Sequence, residues 1–167
     1  MVTIRPLAGS TDVAIAKTLF AEYAASLGID LTFQAFDAEL AGLPGAYLPP
    51  AGTLFLAEQT GEVVGCVALR PLEPPLVAEL KRLYVRPAAR GQGAGAALTK
   101  AILAWARAAG YERVRLDTLP SMRRAQALYR QLGFQEVAAY RHNPVPGTVF
   151  MEADLRTPRP QDSAATP

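Results

Sequence analysis

"RPAARGQGAGAALTKAILAWARAAGYERVRLDT", Arg86 to Thr118, bunches three glycines ahead of an Ala/Leu-rich run and then turns into a β-like segment. Glycines in that position lead the chain into a helix N-terminus, where unpaired N–H groups and aligned peptide dipoles favour an anion. Three readings of Gly91, Gly93 and Gly95 compete. They form a tight turn whose glycines serve only backbone freedom. Or they form a dinucleotide fingerprint, since Gly91, Gly93 and Ala96 satisfy G-x-G-x-x-A with Asp117 at the end of the next strand. Or they cradle a pyrophosphate without the rest of a dinucleotide fold, with Arg90 adding charge.

The residues around the glycines weaken the second reading. A dinucleotide strand runs directly into its first glycine, whereas Arg86 to Arg90 intervene here after Val85. Too few residues follow Asp117 for a second βαβαβ half. No G-K-[ST] follows either, so the loop is not a Walker A.

Upstream, "VTIRPL" reads as a short strand. Val13, Ala16, Phe20, Tyr23 and Leu27 trace one face of a helix closed by Gly28, with Ser10, Thr11 and Asp12 as N-cap candidates. A second helical piece is expected over Phe33 to Leu40, and the Pro/Gly-rich Gly42 to Thr53 as a loop. Two strands follow, joined at Gln59 to Gly61, then "VAELKRLYV" (Val77 to Val85). Beyond the glycines, a helix from about Gly93 to Ala109 precedes the strand "RVRLDT", and a helix that Ser121 can cap runs to Leu132. "FQEVAAY" and "GTVFMEADL" are the last strands. Residues 1–156 are expected to form one domain, and 157–167, lacking apolar content, a disordered tail.

Composition bounds the function. The chain has 167 residues, half of them apolar, and a net charge of only +2, with no Lys/Arg block suited to nucleic acid. Cys66 and His142 are the only residues of their kinds, which leaves no disulfide, no CxxC pair and no multi-histidine metal site. No apolar run suits a membrane span and no h-region opens the chain, so a soluble protein of the cytoplasm is the expectation.

"LKRLYVRPAARGQGAGAAL" with its R-x-x-G-x-G from Arg90, together with "MRRAQALYRQLGF" downstream, resembles the GNAT superfamily of acetyl-CoA-dependent N-acetyltransferases. The resemblance implies an α/β (α+β) fold with a mixed, mostly antiparallel sheet of about six to seven strands flanked by about four helices. It implies acetyl-CoA as cosubstrate, with the pyrophosphate on Arg90, Gly91, Gln92, Gly93, Ala94 and Gly95. The pantetheine arm would pair with the backbone of Leu83, Tyr84 and Val85, and a backbone N–H there, that of Val85, would face the thioester oxygen. Tyr129 matches the tyrosine that protonates the departing thiolate. Glu79 matches a glutamate that some branches use as base. Plain alternation puts Glu79, Lys81, Leu83 and Val85 on one face, which leaves Glu79 facing solvent or Lys81 unless a bulge re-aims it. Met122 stands where the family often has Asn, which puts that cofactor contact in doubt; Ser121 and Arg124 are the available replacements.

For the acceptor, Arg82, Asp117, Arg141, His142 and Asn143 are the polar residues expected near the pocket, Arg82 and Arg141 being able to grip a carboxylate. The rigid Pro-Val-Pro-Gly turn would restrict the rim, which favours a small-molecule amine. A protein N-terminus or lysine as acceptor, and a coenzyme-A-binding sensor without activity, are the alternatives. Such folds commonly dimerise, and no residue here argues for or against a homodimer.

Overall fold

The computed structural model describes residues 1–32 and 35–156. Its elements are β1 (Val2–Pro6), α1 (Gly9–Leu27), α2 (Phe36–Gly42), β2 (Thr53–Gln59), β3 (Glu62–Leu72) and β4 (Val77–Val85). A 3-10 turn at Pro87–Ala89 leads to α3 (Ala94–Ala108), β5 (Arg113–Thr118), α4 (Arg123–Gln131), β6 (Gln135–Val137) and β7 (Val149–Asp154). The strands form one seven-stranded sheet in the order β1-β2-β3-β4-β5-β7-β6. Every neighbour pair is antiparallel except β4–β5. This is the mixed, mostly antiparallel sheet with four helices that the sequence implied.

Each face of the sheet has its own core. Leu98, Ile102, Leu103 and Ala106 of α3 recur at helical spacing and bury against Val67, Leu69, Leu80, Val114, Leu116 and Met151. On the other face, Ala16, Leu19 and Phe20 of α1 meet Leu54, Leu56, Cys66, Ala68 and Tyr84. Among the described residues no helix is long and apolar enough to cross a membrane.

Several local expectations need correction. Helix α1 begins at Gly9, so none of Ser10, Thr11 and Asp12 is its N-cap. Asp12 instead reaches back to accept the Ala8 N–H at 2.7 Å and binds the Arg5 guanidinium, tying the helix to β1. Helix α4 starts after Met122 with no side-chain cap, and Ser121 does not cap it; the Gln126 amide holds that turn by donating to the Leu119 carbonyl at 2.8 Å. Helix α2 starts only at Phe36, Ala35 before it having φ of 52°; Phe33 and the tail 157–167 lie outside the described residues. The strand expected over Phe134 to Tyr140 shrinks to Gln135–Val137. It is an edge strand with β7 as its neighbour, and β7 itself begins at Val149, after a loop whose prolines donate no N–H.

Candidate active site

Strands β4 and β5 pair only at Val77–Arg113, Ala78–Val114 and Glu79–Arg115. Beyond that point β4 runs on to Val85 and β5 to Thr118 without joining, and α4 follows β5 away. The gap is a cleft of about 680 Å³. Leu83, Tyr84, Val85, Arg90, Gly91, Gly93, Ala94 and Gly95 line one wall, and Ser121 to Ala125 with Leu128 the other. The Arg86 N–H donates to Val64 on β3 at 2.8 Å. Strand alternation therefore turns the Val85 N–H to the edge that β5 has left.

At the mouth of the cleft α3 presents an N-terminus with no side-chain cap. Gly91 and Gly93 stand at φ of 80° and 86°, a region that L side chains rarely adopt, and a Cβ on either would meet nothing within 4 Å. The loop thus leaves its N–H groups open in front of the helix dipole, a site for a pyrophosphate. Arg90 is anchored at the lip, its Nε donating to the Val85 carbonyl at 2.9 Å and its guanidinium 5.9 Å above the Tyr84 ring. The Gln92 side chain bonds that of Gln59, which leaves its backbone N–H as what it offers the loop. Met122, at the place where the resemblance expects Asn, lines the cleft together with Ser121 and Arg124.

The faces of β4 are not those of plain alternation. Cys66 pairs with Tyr84 but Ala68 with Lys81, so Val67 opposes both Arg82 and Leu83, and Arg82 takes φ of 59°. This β-bulge shifts the side-chain alternation by one residue. Leu83 and Val85 join Leu80 on the α3 face, while Glu79, Lys81, Arg82 and Tyr84 share the α1/α2 face. Glu79 is fully buried there and does not meet solvent. It is the centre of a cross-strand row, Arg70 on β3, Glu79 on β4, Arg115 on β5 and Glu152 on β7, alternating in charge. Arg70 binds Glu79 Oε1 at 2.9 Å, the Tyr140 hydroxyl donates to Oε2 at 2.8 Å, and Arg141 also pairs with Oε2. Lys81 Nζ stands 3.9 Å from Oε1. With Glu79 held by both arginines, burial governs Lys81, and with help from Arg82 and Arg70 it pushes the amine down to about 7.

The acceptor candidates separate. Arg82 is no carboxylate clamp: it is buried, its Nε donates to Glu39 at 2.8 Å, and it lies over the rings of Tyr23 and Phe36, locking α1 and α2 onto β4. His142 is exposed on its loop and joins nothing in the site. Asp117 and Asn143 do meet, the Asn143 amide donating to Asp117 Oδ2 at 3.2 Å, and Arg141 Nε stands 3.7 Å from the same oxygen. Asp117 and Asn143 line a narrow hollow that shares Tyr23 and Met122 with the cleft. The loop above it is held by the Asn143 side chain accepting the Val145 N–H at 3.0 Å, and its Gly147 lies against Pro120. Tyr129 is 5% exposed, its ring 5.4 Å from that of Phe134. Burial, with Tyr23 and Asp117 nearby, pushes its hydroxyl well above the ordinary phenol range.

Sequence reasoning missed Arg70, Tyr140 and Glu39. Arg70 had a usable signal, since it shares the parity of Cys66 and Ala68 on β3; Tyr140 and Glu39 reach the site from loop and helix across long sequence separations and had none.

Comparison with known proteins agrees with this geometry. Residues 17–134 match the model of the acetyltransferase (GNAT) family. An uncharacterized N-acetyltransferase of Schizosaccharomyces pombe is 41% identical over 140 residues, 83% of this chain and 86% of that protein. A solved structure from Klebsiella pneumoniae is 34% identical with a TM-score of 0.68, covering 93% of this chain and 98% of its own. The Salmonella typhimurium protein yncA, solved with its cofactor acetyl-CoA, shares the fold at a TM-score of 0.69 and 22% identity, over 92% of this chain and 94% of that one.

Proposed function

The chain belongs to the acetyltransferase (GNAT) family, and from that premise we propose that it moves the acetyl group of acetyl-CoA to a primary amine of a small molecule, by direct attack within a ternary complex. The observation that carries this reading is the opened edge of β4 beside the uncapped N-terminus of α3. The one supplies strand-like hydrogen bonds to the amides of the pantetheine arm, the other N–H groups and a dipole for the diphosphate.

When bound, acetyl-CoA supplies a thioester whose carbonyl carbon the amine attacks. The Val85 N–H donates to the oxygen on which negative charge develops, a contact that is stronger in the transition state than before it. Tyr129 donates its proton toward the departing sulfur, and the proton that the attacking nitrogen sheds replaces it, so that an amide and a free thiol result. Because burial raises its pKa, it stays protonated across the neutral range and acts as a hydrogen-bond donor rather than as a strong acid. Asp117, in the hollow beside the cleft, accepts a hydrogen bond from the attacking amine. Glu79 is a poor base with two guanidiniums and a phenol on its oxygens; its role is to position Arg70, Arg141 and Tyr140. The narrow hollow and its braced loop favour a small acceptor over a peptide.

Titration with acetyl-CoA, followed by thiol release against amino acids, polyamines, aminoglycosides and peptides, tests the reading. Binding plus release with a small amine supports it. Release with peptides alone would replace the acceptor class, and absence of acetyl-CoA binding would overturn the whole reading.

A further inference from the structure

The hollow beside the cleft contains a group that nothing around it satisfies. Thr118, the last residue of β5, lines the hollow and is only 4% exposed. Among the described residues its Oγ1 is buried with no hydrogen-bond partner. Such a hydroxyl has given up water and gained nothing in return, which is costly. Its polar neighbours are better served: the Asn143 amide donates to Asp117 Oδ2, and the Asn143 oxygen accepts the Val145 N–H.

A guest that meets both Asp117 and Thr118 must stand in one place. Successive side chains of a strand lean to opposite faces, and these two residues are successive. The pairing of β5 with β4 ends at Arg115, so the edge of β5 is open at Asp117 and Thr118, and a guest lodged at that edge lies between the two. The hollow measures about 20 Å³, where a water needs about 10–15 Å³. It takes one nitrogen with its hydrogens, but not a nitrogen and a methyl group together. Leu31 is buried in its wall while Leu27 and Ile29 are half-buried, so the hollow opens outward past two apolar side chains. Inward, Tyr23 and Met122 belong to hollow and cleft alike, which brings an atom in the hollow next to the reaction centre.

We propose that Thr118 binds the acceptor nitrogen: its hydroxyl and the Asp117 carboxylate take the two N–H bonds of a neutral primary amine carried on an apolar chain, and so aim the lone pair at the thioester. The inference rests on the acetyl-transfer reading and deepens it. A carboxylate has about four lone-pair sites and a hydroxyl two, so Asp117 keeps Asn143 while it accepts the amine. The N–C bond forms as the C–S bond breaks; the nitrogen sheds one proton by the route given above and keeps the other in the amide. A secondary amine has a single N–H, loses one of the two contacts, and brings a carbon for which the hollow has no room.

The probes are n-butylamine and N-methylbutylamine, which are of nearly equal basicity, with thiol release measured at saturating acetyl-CoA. Wild type should favour the primary amine by about tenfold or more in kcat/KM. Thr118→Val keeps the shape of the side chain and removes the hydroxyl. It should cut kcat/KM for butylamine about tenfold, the worth of one hydrogen bond, while calorimetric acetyl-CoA affinity is kept. Its Tm should hold or rise, because an unsatisfied buried hydroxyl is gone. Thr118→Ser keeps the hydroxyl and should return butylamine turnover to within about threefold of wild type. A wild type that does not distinguish the two amines, a valine variant as fast as wild type or lower in Tm, or a serine variant as slow as the valine one overturns the proposal. So does bound acetyl-CoA that releases no thiol to butylamine; release to another amine or a peptide then leaves the acetyl-transfer reading standing. Absence of acetyl-CoA binding in the wild type removes both.

Discussion

Lys81 makes a prediction that is independent of any substrate. Its amine sits on the bulged part of β4 near Glu79, Glu39 and Asp117, with the cations Arg82 and Arg70 beside it. Burial first, then those two cations, lower its pKa from 10.5 to about 7. In the unfolded chain the ammonium persists to the ordinary value, so between pH 7 and 10.5 the unfolded state binds more protons than the folded one. Stability must then rise with pH across that window, with the penalty complete below pH 7 and absent above 10.5. At about 1.4 kcal/mol per tenfold change, the full penalty is on the order of 5 kcal/mol, and about 3 kcal/mol of it is recovered between pH 6 and 9. Lys81→Met keeps the length of the side chain and cannot titrate. Urea unfolding of wild type and variant at pH 6 and 9 isolates the group, because every other titration is common to both. The variant should gain about 3 kcal/mol more relative to wild type at pH 6 than at pH 9. A difference that stays constant with pH would mean that the folded protein holds the ammonium comfortably and that burial does not set its charge.

Tyr129→Phe should lower kcat by about a hundredfold while leaving acetyl-CoA affinity unchanged, as judged by turnover and calorimetry; unchanged turnover would remove the proton-donor role. Glu79→Gln should cost about 2 kcal/mol of stability, because both guanidiniums lose their carboxylate but keep access to water, and should raise the acceptor KM. The pH–rate profile should keep its shape, whereas loss of its acidic limb would restore Glu79 as the base. Gly93→Ala places a side chain at φ of 86° with open space around it, so the damage comes from the backbone. About 1–2 kcal/mol of strain should appear as weaker acetyl-CoA binding or a lower Tm, and a variant with both unchanged would show that the loop does not need that conformation.

Much of this was legible in the chain itself. The spacing of Val13 to Leu27, the glycines after "RPAAR" and the alternation in "RVRLDT" are local signals, and local geometry obeys them. A bulge was the one way to re-aim Glu79, but its place was not legible, because Arg82 is neither Gly nor Asn and the extra residue is visible only against Val67 on the neighbouring strand. That single residue moved Leu83 and Val85 to one face and left Glu79 on the other. Arg82 looked like a substrate arginine because Glu39, which neutralises it, is distant in sequence. His142 was expected near the pocket because it lies on the loop between the last two strands, yet that says nothing about which way the loop points its side chain. The strand after Phe134 failed for a similar reason: its sequence suits a strand, but beyond Val137 it has no partner to pair with.

The parting of β4 from β5 also sets how the molecule answers to force. Four strands lie on one side of that line and three on the other, and three residue pairs join them, against six between β5 and β7. A load drawn across the sheet should therefore fail first along this seam, with the apolar layer under α3 bridging it to the last. A cofactor seated in the gap would add strand-like bonds to the edge of β4 and contacts to the α4 wall opposite, so the rupture force in a single-molecule pull should rise with acetyl-CoA concentration. The enzyme would then be mechanically whole only while it is loaded.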